Sequence, residues 1–494
     1  MMMENSEIIA AFCTALAKSA ISVMRISGDG AGKFADKFFY FYKDLDSRVQ
    51  NSRGESCKDK KLPNKRSLVE HMKGYRAAYG YILDPSTGEK IDDAVLTRFV
   101  KPHSYTGEEM VEISIHGSIA SQRALMELVL KLGARAATAG EFTRRAFLNG
   151  KMDLLQAEAV LELINSEGQK SREAALDRLD GKLSERFIEL RNKLYFILSE
   201  LEVSIAYPEY EENDVDVDLL RISLEDIRNS FYKLASGYRQ SRLIDEGIKV
   251  AILGAPNAGK SSLLNALLGY DRAIVSNIAG TTRDTVESKI EIDGIILNMI
   301  DTAGLRQSDD YVEKIGIERS IKAAKEADLI LWLIEATKDK DTLKDELKQI
   351  EEYRNEITGD IYFFISKTDL DIKNNLGQQV YSHCKEIYGK DKVISFSNLE
   401  EAGVDRVLEF LRNYCQNLSN EARQSSLISN QRQYQILVNI NNMLDKLIED
   451  VILLPLDISS QAIKFVVEEL ARLTGEEVSE TLLDEIFSNF CVGK

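Results

Sequence analysis

No window of the sequence approaches 18 consecutive apolar residues, and the most apolar short run, Val451 to Leu456, is broken by Pro455. A membrane-spanning helix is therefore not expected. Glu4 and Glu7 stand where a secretory signal would carry lysine or arginine, and no apolar stretch follows them, so no signal peptide is expected. Cysteine is scarce: five residues, at 13, 57, 384, 415 and 491, odd in number and without paired metal-ligand spacing. That pattern argues against a disulfide framework or a structural zinc and fits a reduced, cytoplasmic protein. Positive charge is also short, with 63 Lys and Arg against 80 Asp and Glu, for a net charge of −17. The deficit is uneven: residues 1–150 hold 22 Lys and Arg against 18 Asp and Glu, a net of +4, which leaves −21 for the rest. So acidic a chain repels polyphosphate at long range. It does not read as a protein that coats DNA or RNA, and any nucleic-acid contact needs a local patch, in the N-terminal part first of all, or a basic partner.

What is present divides the 494 residues into about three domains. Residues 1–150 read as α+β, with short β-branched or alternating runs at Ile21–Ile26, Ala94–Phe99 and Val111–Ile115 between turn signals. The polar, basic stretch Arg48 to Lys65 reads as an exposed loop or insertion. From 151 to 246 the pattern is helical: Leu176, Leu179, Leu183, Phe187, Leu190, Leu194, Ile197 and Leu201 keep the three-and-four spacing of an amphipathic helix. The acidic stretch Pro208 to Asp218 interrupts it as a loop. Residues 247–417 alternate strand and helix, as in a parallel α/β sheet, with strand candidates Lys249–Leu253, Ile295–Ile300, Leu329–Ile334, Ile361–Ile365 and Lys392–Ser395. Helical spacing returns over 418–494. The fold class is thus multidomain, an α+β N-terminal domain followed by a helical domain that an α/β domain splits in two.

Gly254-Ala255-Pro256-Asn257-Ala258-Gly259-Lys260-Ser261 matches the phosphate-binding P-loop pattern between an apolar strand and the helix-like run Ser262 to Leu268. The glycines let backbone N–H groups turn inward around phosphates, Lys260 reaches the β- and γ-phosphates, and the Ser261 hydroxyl ligates Mg²⁺. Asp301-Thr302-Ala303-Gly304 follows the strand Ile295–Ile300, where an aspartate holds the metal shell. Gly280-Thr281-Thr282 lies between them, and Thr282 completes the Mg²⁺ ligands. Ser366-Lys367-Thr368-Asp369 follows the strand Ile361–Ile365, and Asp369 can accept from guanine N1–H and its 2-amino group, which adenine cannot offer. Ser397-Asn398-Leu399 occupies the place of a second base-binding loop, and Ser262 and the loop Ser276-Asn277-Ile278-Ala279 complete the candidate GTP contacts. Four elements in this order and spacing specify a GTPase similar to the Era/TrmE branch. That branch usually has asparagine where Ser366 stands; the shorter side chain is not expected to reach both the base and the P-loop.

The flanking motifs extend the resemblance over nearly the whole chain. They are Ser104-Tyr105-Thr106-Gly107-Glu108 with Val111-Glu112-Ile113 and His116-Gly117; the run Gly140 to Lys151; Asp153-Leu154 with Gln156-Ala157-Glu158-Ala159; and a terminal Cys491-Val492-Gly493-Lys494. Together they resemble the MnmE (TrmE) family of tRNA-modification GTPases. The resemblance implies a homodimer whose N-terminal domain binds a tetrahydrofolate, 5-formyl or 5,10-methylene, at Arg25, Glu112, Lys151 and Lys494. A carboxylate suits the pterin's donors and cations suit the glutamate tail; taken singly, each of the four would read as a surface ion pair. It further implies an FAD-dependent MnmG-like partner forming a heterotetramer, and tRNA as substrate, with that partner supplying much of the contact and a carboxymethylaminomethyl-type group built on C5 of the wobble uridine. The loop Thr14 to Ala20 departs from the family's glycine- and proline-rich form.

For hydrolysis the family places K⁺ where other GTPases receive an arginine finger. The matching ligands are Asn257 and the loop residues Ser276, Ile278 and Thr281, and Glu313 matches the residue that positions water, though by itself it reads as a solvated helix start. Lys260, Thr282 and Glu313 are thus the candidate catalytic residues. Cys491 is open between a packed apolar residue, a surface thiol and a reactive thiol. A ribosome-assembly GTPase switch is the alternative; it would need an RNA-binding module such as Gly-x-x-Gly after residue 417, where helical spacing stands instead. A membrane-remodelling GTPase would need a basic amphipathic surface, which the acidic helical parts lack.

Overall fold

The computed structural model describes residues 7–44, 67–207, 215–269, 288–300, 322–338, 340–354, 357–370, 376–397, 401–425, 428 and 430–494. They form two compact units: Met1–Leu161 together with Ala471–Lys494, and Glu162–Leu470.

The first unit is built on a seven-stranded sheet. Its strands are β1 (Ile9–Phe12), β2 (Ile21–Ser27), β3 (Phe39–Phe41), β4 (Arg76–Leu83), β5 (Lys90–Phe99), β6 (Met110–His116) and β7 (Arg135–Ala136), in the order β3-β4-β5-β6-β2-β1-β7. All neighbours are antiparallel except β1 with β7. Alternation along β2 and β6 sends Met24, Ile26, Val111, Ile113 and Ile115 to one face, where Leu125, Leu128 and Val129 of the helix Ile119–Lys131 cover them. The same alternation leaves Arg25 and Glu112 on the opposite face as direct cross-strand partners. Pairs so placed are the natural unit of sheet contact.

In the second unit, β8 (Ile248–Gly254), β9 (Ser288–Ile292), β10 (Ile295–Ile300), β11 (Leu329–Glu335), β12 (Asp360–Ser366) and β13 (Val393–Ser395) make a sheet ordered β13-β12-β11-β8-β10-β9. Every pairing is parallel except the hairpin of β9 and β10. Six consecutive buried residues in β11 are what a central parallel strand covered on both faces requires. One face packs on the helices Lys260–Leu268 and Glu401–Ser425, the other on Lys340–Arg354 and Leu376–Tyr388. The long helix Val217–Ser236 packs against Gln431–Asp450 in the same unit.

Two expectations are corrected. The apolar spacing from Leu176 to Leu201 is not one helix: Gln169–Leu179 ends, Gly181 takes φ +87°, and Lys182–Ala206 begins. A left-handed residue cannot continue a right-handed helix, and glycine adopts it without a Cβ penalty. The acidic loop stops short of Asp218, because the Asp216 carboxylate accepts from the N–H groups of Asp218 and Leu219 and caps a helix starting at Val217. The Arg48 to Lys65 segment and residues 208–214 lie outside the described residues. No helix among the described residues is long and apolar enough to cross a membrane.

Candidate functional site

Strand β8 delivers the chain into a tight loop whose residues Gly254, Asn257 and Gly259 have φ of +141°, +64° and +97°. Asparagine is among the few non-glycine residues that tolerate the left-handed region. The helix Lys260–Leu268 starts directly after Gly259. Its first turn presents Ser261 and Ser262 to solvent, beside the helix's unpaired N–H groups and the buried Ala258, the arrangement that favours a bound phosphate. The Lys260 ammonium folds back over the loop and donates to the carbonyl oxygens of Gly254, 2.8 Å, and Ala255, 2.9 Å. Burial pushes this ammonium below the usual lysine range, against the opposing pull of Glu346 and with the help of Lys338. A phosphate arriving at the loop would replace two neutral acceptors with charged ones, a stronger pairing.

The base-side residues are held by a chain of hydrogen bonds. Ser366, 1% exposed at the end of β12, donates its hydroxyl to the Ala258 carbonyl at 2.8 Å. The serine therefore does reach the P-loop. Lys367 takes φ +58° and its ammonium pairs with Glu335 at 2.9 Å. Thr368 and Asp369 lie in the 3₁₀ turn Thr368–Leu370, where the buried Ser397 donates to the Asp369 carboxylate at 2.5 Å. One carboxylate oxygen is thereby fixed and the group is oriented before any ligand arrives. Ser366→Ala should lower GDP affinity by about 2- to 13-fold, the value of one neutral hydrogen bond. Exclusion of ADP should persist, since Asp369 is untouched. Competition calorimetry with GDP and ADP measures both; undiminished GDP affinity would show that this tie contributes nothing. Ser276, Asn277, Ile278, Ala279, Gly280, Thr281, Thr282, Asp301, Thr302, Ala303, Gly304, Glu313, Asn398 and Leu399 lie outside the described residues.

The second candidate site is on the open face of the first sheet. Arg25 donates through Nε and one terminal nitrogen to the same Glu112 oxygen, at 3.0 and 2.8 Å. Its guanidinium lies over the rings of Tyr105, 4.7 Å, and Phe142, 5.5 Å, and the Tyr105 hydroxyl is shared with Thr143 at 2.8 Å. The other terminal nitrogen of Arg25 is buried and has no acceptor among the described residues. The C-terminal residues close this region by backbone contacts: Val492 bridges to Ala139, the Phe142 N–H donates to the Lys494 carbonyl at 3.2 Å, and the Cys13 thiol donates to the Gly493 carbonyl at 3.2 Å. Gly493 has φ +99°, and a Cβ there would stand 2.1 Å from the Phe12 carbonyl oxygen, so only glycine fits. Burial pushes the Cys13 thiol up, while Arg25 draws it down, Glu112 raises it and Lys494 lowers it. The structure thus gathers Arg25, Glu112 and Lys494 around Cys13, a residue with no motif to mark it. The Lys151 stem runs beside Gly107, which lies in the motif holding Tyr105. Cys491 is exposed.

Comparison with known proteins decides the family. The family described as MnmE helical domain matches residues 154–491, and that described as GTP-binding protein TrmE N-terminus matches residues 8–151. The chain is 39% identical over 491 residues to the tRNA modification GTPase MnmE of Alkaliphilus oremlandii, covering 98% of this chain and 99% of that protein. The chain belongs to the MnmE family. The protein of that name from Thermus thermophilus is 37% identical over 486 residues, covering 98% of each chain. A solved structure of an Era variant from Aquifex aeolicus bound to GDP and aluminium fluoride is similar over 34% of this chain and 56% of that one, with 27% identity and a TM-score of 0.27. As an MnmE-family member this protein is a GTP-hydrolysing enzyme with a role in tRNA modification.

Proposed function

We propose that this enzyme uses GTP hydrolysis to build a carboxymethylaminomethyl-type group on C5 of a tRNA wobble uridine, with a folate one-carbon donor and an FAD-dependent MnmG-like partner. The observation that carries this reading is likeness over 98% of the chain to proteins named tRNA modification GTPase MnmE. In this reading residues 247–417 are the GTPase domain, inserted in a helical domain formed by 151–246 and 418–494, and residues 1–150 bind folate and dimerise. Arg25, Glu112, Lys151 and Lys494 would hold the folate, and the buried, acceptorless nitrogen of Arg25 fits a group bearing carboxylates. When bound, that group supplies the one-carbon unit. Mass spectrometry of wobble nucleosides from cells lacking the protein tests the proposal: the C5 groups should disappear, and an unchanged spectrum sinks it.

For hydrolysis, Lys260 neutralises phosphate charge while Ser261 and Thr282 hold Mg²⁺. Asn257, with Ser276, Ile278 and Thr281, holds K⁺. Turnover in KCl should exceed that in matched NaCl by at least about tenfold, since a cation in an arginine finger's position is worth up to about 10³–10⁵. Steady-state rates in the two salts decide this, and equal rates remove the K⁺ assignment. Glu313 positions the attacking water. Glu313→Ala should bind GTP as the parent does but lose about 10²- to 10⁴-fold in turnover, the range for a positioned proton acceptor. Single-turnover kinetics beside equilibrium binding separate the two effects; intact turnover returns Glu313 to a solvated helix start.

A further inference from the structure

The first unit holds a surface that neither nucleotide nor folate uses. Two segments meet at one end of the paired strands β4 and β5: residues 71–76, which lead into β4, and residues 100–103, which follow β5. The Tyr75 N–H donates to the Arg98 carbonyl at 2.8 Å, and the Tyr75 hydroxyl donates to the His103 carbonyl at 2.6 Å. A Cβ at Gly74 would lie 3.1 Å from the Val100 side chain. Behind them the Arg98 guanidinium donates to the carbonyls of Glu70 and Met72 and pairs with Glu109. The two segments are therefore tied to each other and to the sheet.

They present Lys73, Arg76, Lys101 and His103 to solvent. None of these four makes an ion pair or a hydrogen bond to a carboxylate among the described residues. Arg98 beside them differs, being paired with Glu109, and at the opposite end of β4 and β5 Lys90 is paired with Asp93 and Lys131 with Asp84. Among these four side chains stands Tyr75, 64% exposed. Its ring is fixed by the hydroxyl bond and by an edge contact with Phe99 at 5.7 Å. Lys73, Arg76 and Lys101, without a carboxylate partner among the described residues and on segments tied beside a fixed aromatic ring, form the local patch that a chain of net charge −17 needs to meet a polyanion.

We propose that Lys73, Tyr75, Arg76, Lys101 and His103 form an RNA-docking surface that grips the phosphate backbone of the tRNA substrate and stacks one unpaired base on Tyr75. This deepens the tRNA-modification reading and rests on it. Lysine and arginine supply the sequence-independent phosphate contacts, and an exposed ring on a fixed support is how proteins hold an unstacked base. The site reads the backbone and a loop, not a base sequence.

The test is binding of fluorescently labelled tRNA to the full chain, measured by anisotropy across a salt series. The parent is compared with Lys73→Ala/Arg76→Ala/Lys101→Ala and with Tyr75→Phe and Tyr75→Ala. The triple variant should bind at least about tenfold more weakly near 0.1 M salt, and its log-log salt slope should shrink by about 2, near 0.7 for each cation removed. Tyr75→Ala should weaken binding by about fivefold or more while Tyr75→Phe, which keeps the ring, stays within about twofold. GTP turnover should match the parent in every variant, since none of these residues touches the nucleotide site, and the melting temperature of the triple variant, which leaves the Tyr75 ties in place, should match it as well. Unchanged affinity and slope in the triple variant, with tRNA still bound, overturns the surface but leaves the tRNA reading intact. A parent that hydrolyses GTP yet binds no tRNA overturns both. Retention on anionic lipid vesicles without tRNA binding also overturns the proposal.

Discussion

Lys260→Ala should hydrolyse saturating GTP about 10²- to 10³-fold more slowly than the parent, the cost of removing one preorganised charge-stabilising donor. The geometry says why the loss is large. The ammonium is the cation at the mouth of the loop, half-buried, and it is poised on the carbonyls of Gly254 and Ala255. It exchanges these neutral acceptors for phosphate oxygens whose negative charge grows as the γ-phosphoryl group departs, so its contribution is greater in the transition state than in the ground state. Burial has already lowered the ammonium's affinity for its proton, and a bound polyphosphate restores it; water filling the alanine's vacancy could do neither. Nucleotide affinity should fall too, but by less than turnover. Single-turnover rates at saturation isolate the chemical step, and a loss smaller than about threefold would overturn the role given to Lys260.

Arg178→Ala should destabilise the second unit by about 3–5 kcal/mol, the cost of stripping one partner from a buried ion cluster. The Arg178 side chain is 2% exposed. One terminal nitrogen donates to both oxygens of Asp245, at 2.9 and 2.7 Å; the other donates to Glu162 at 2.7 Å; and Nε donates to the Ala174 carbonyl at 3.1 Å. Alanine would leave two half-buried carboxylates facing each other across a cavity. Desolvation and mutual repulsion would then both favour protonation. The variant should therefore recover part of its loss as pH falls toward 5, a direction opposite to ordinary acid destabilisation. Adding Asp245→Asn and Glu162→Gln should recover more at neutral pH, since uncharged amides need no counterion. Urea unfolding followed at pH 7 and pH 5 measures these effects. A shift below about 1 kcal/mol would mean that water takes over the arginine's role.

The nucleotide site was the most legible part of the sequence because its chemistry fixes spacing. A loop that wraps phosphate must have its glycines, lysine and serine in one short run, and β8 and the helix from Lys260 bracket that run as expected. Strand β11 was legible from an unbroken apolar run, and β10 from a run broken only by Asn298. Other features were hidden for identifiable reasons. The break at Gly181 is invisible to apolar counting, since Leu179 and Leu183 keep helical spacing across it. Strand β1 is four residues, two of them alanine, too short and too plain to signal. Arg178 reads like any solvated helix cation; its partners are 16 and 67 residues away, and no local pattern reports them. The Ser366 bond to the P-loop is likewise a contact 108 residues distant in sequence. Such contacts are products of topology.

The first compact unit is discontinuous: Met1–Leu161 is completed by Ala471–Lys494. During synthesis its sheet leaves the ribosome early, but Val492 cannot bridge to Ala139, nor Gly493 lie against Phe12, until some 300 further residues have been made. At about 5–20 residues per second that interval is about 15–60 s. Throughout it the face bearing Arg25, Glu112 and Cys13 lacks its cover, a window in which a nascent chain offers that surface to chaperones or to small ligands. A message truncated near its 3′ end would thus yield a chain with an intact P-loop and an open second site.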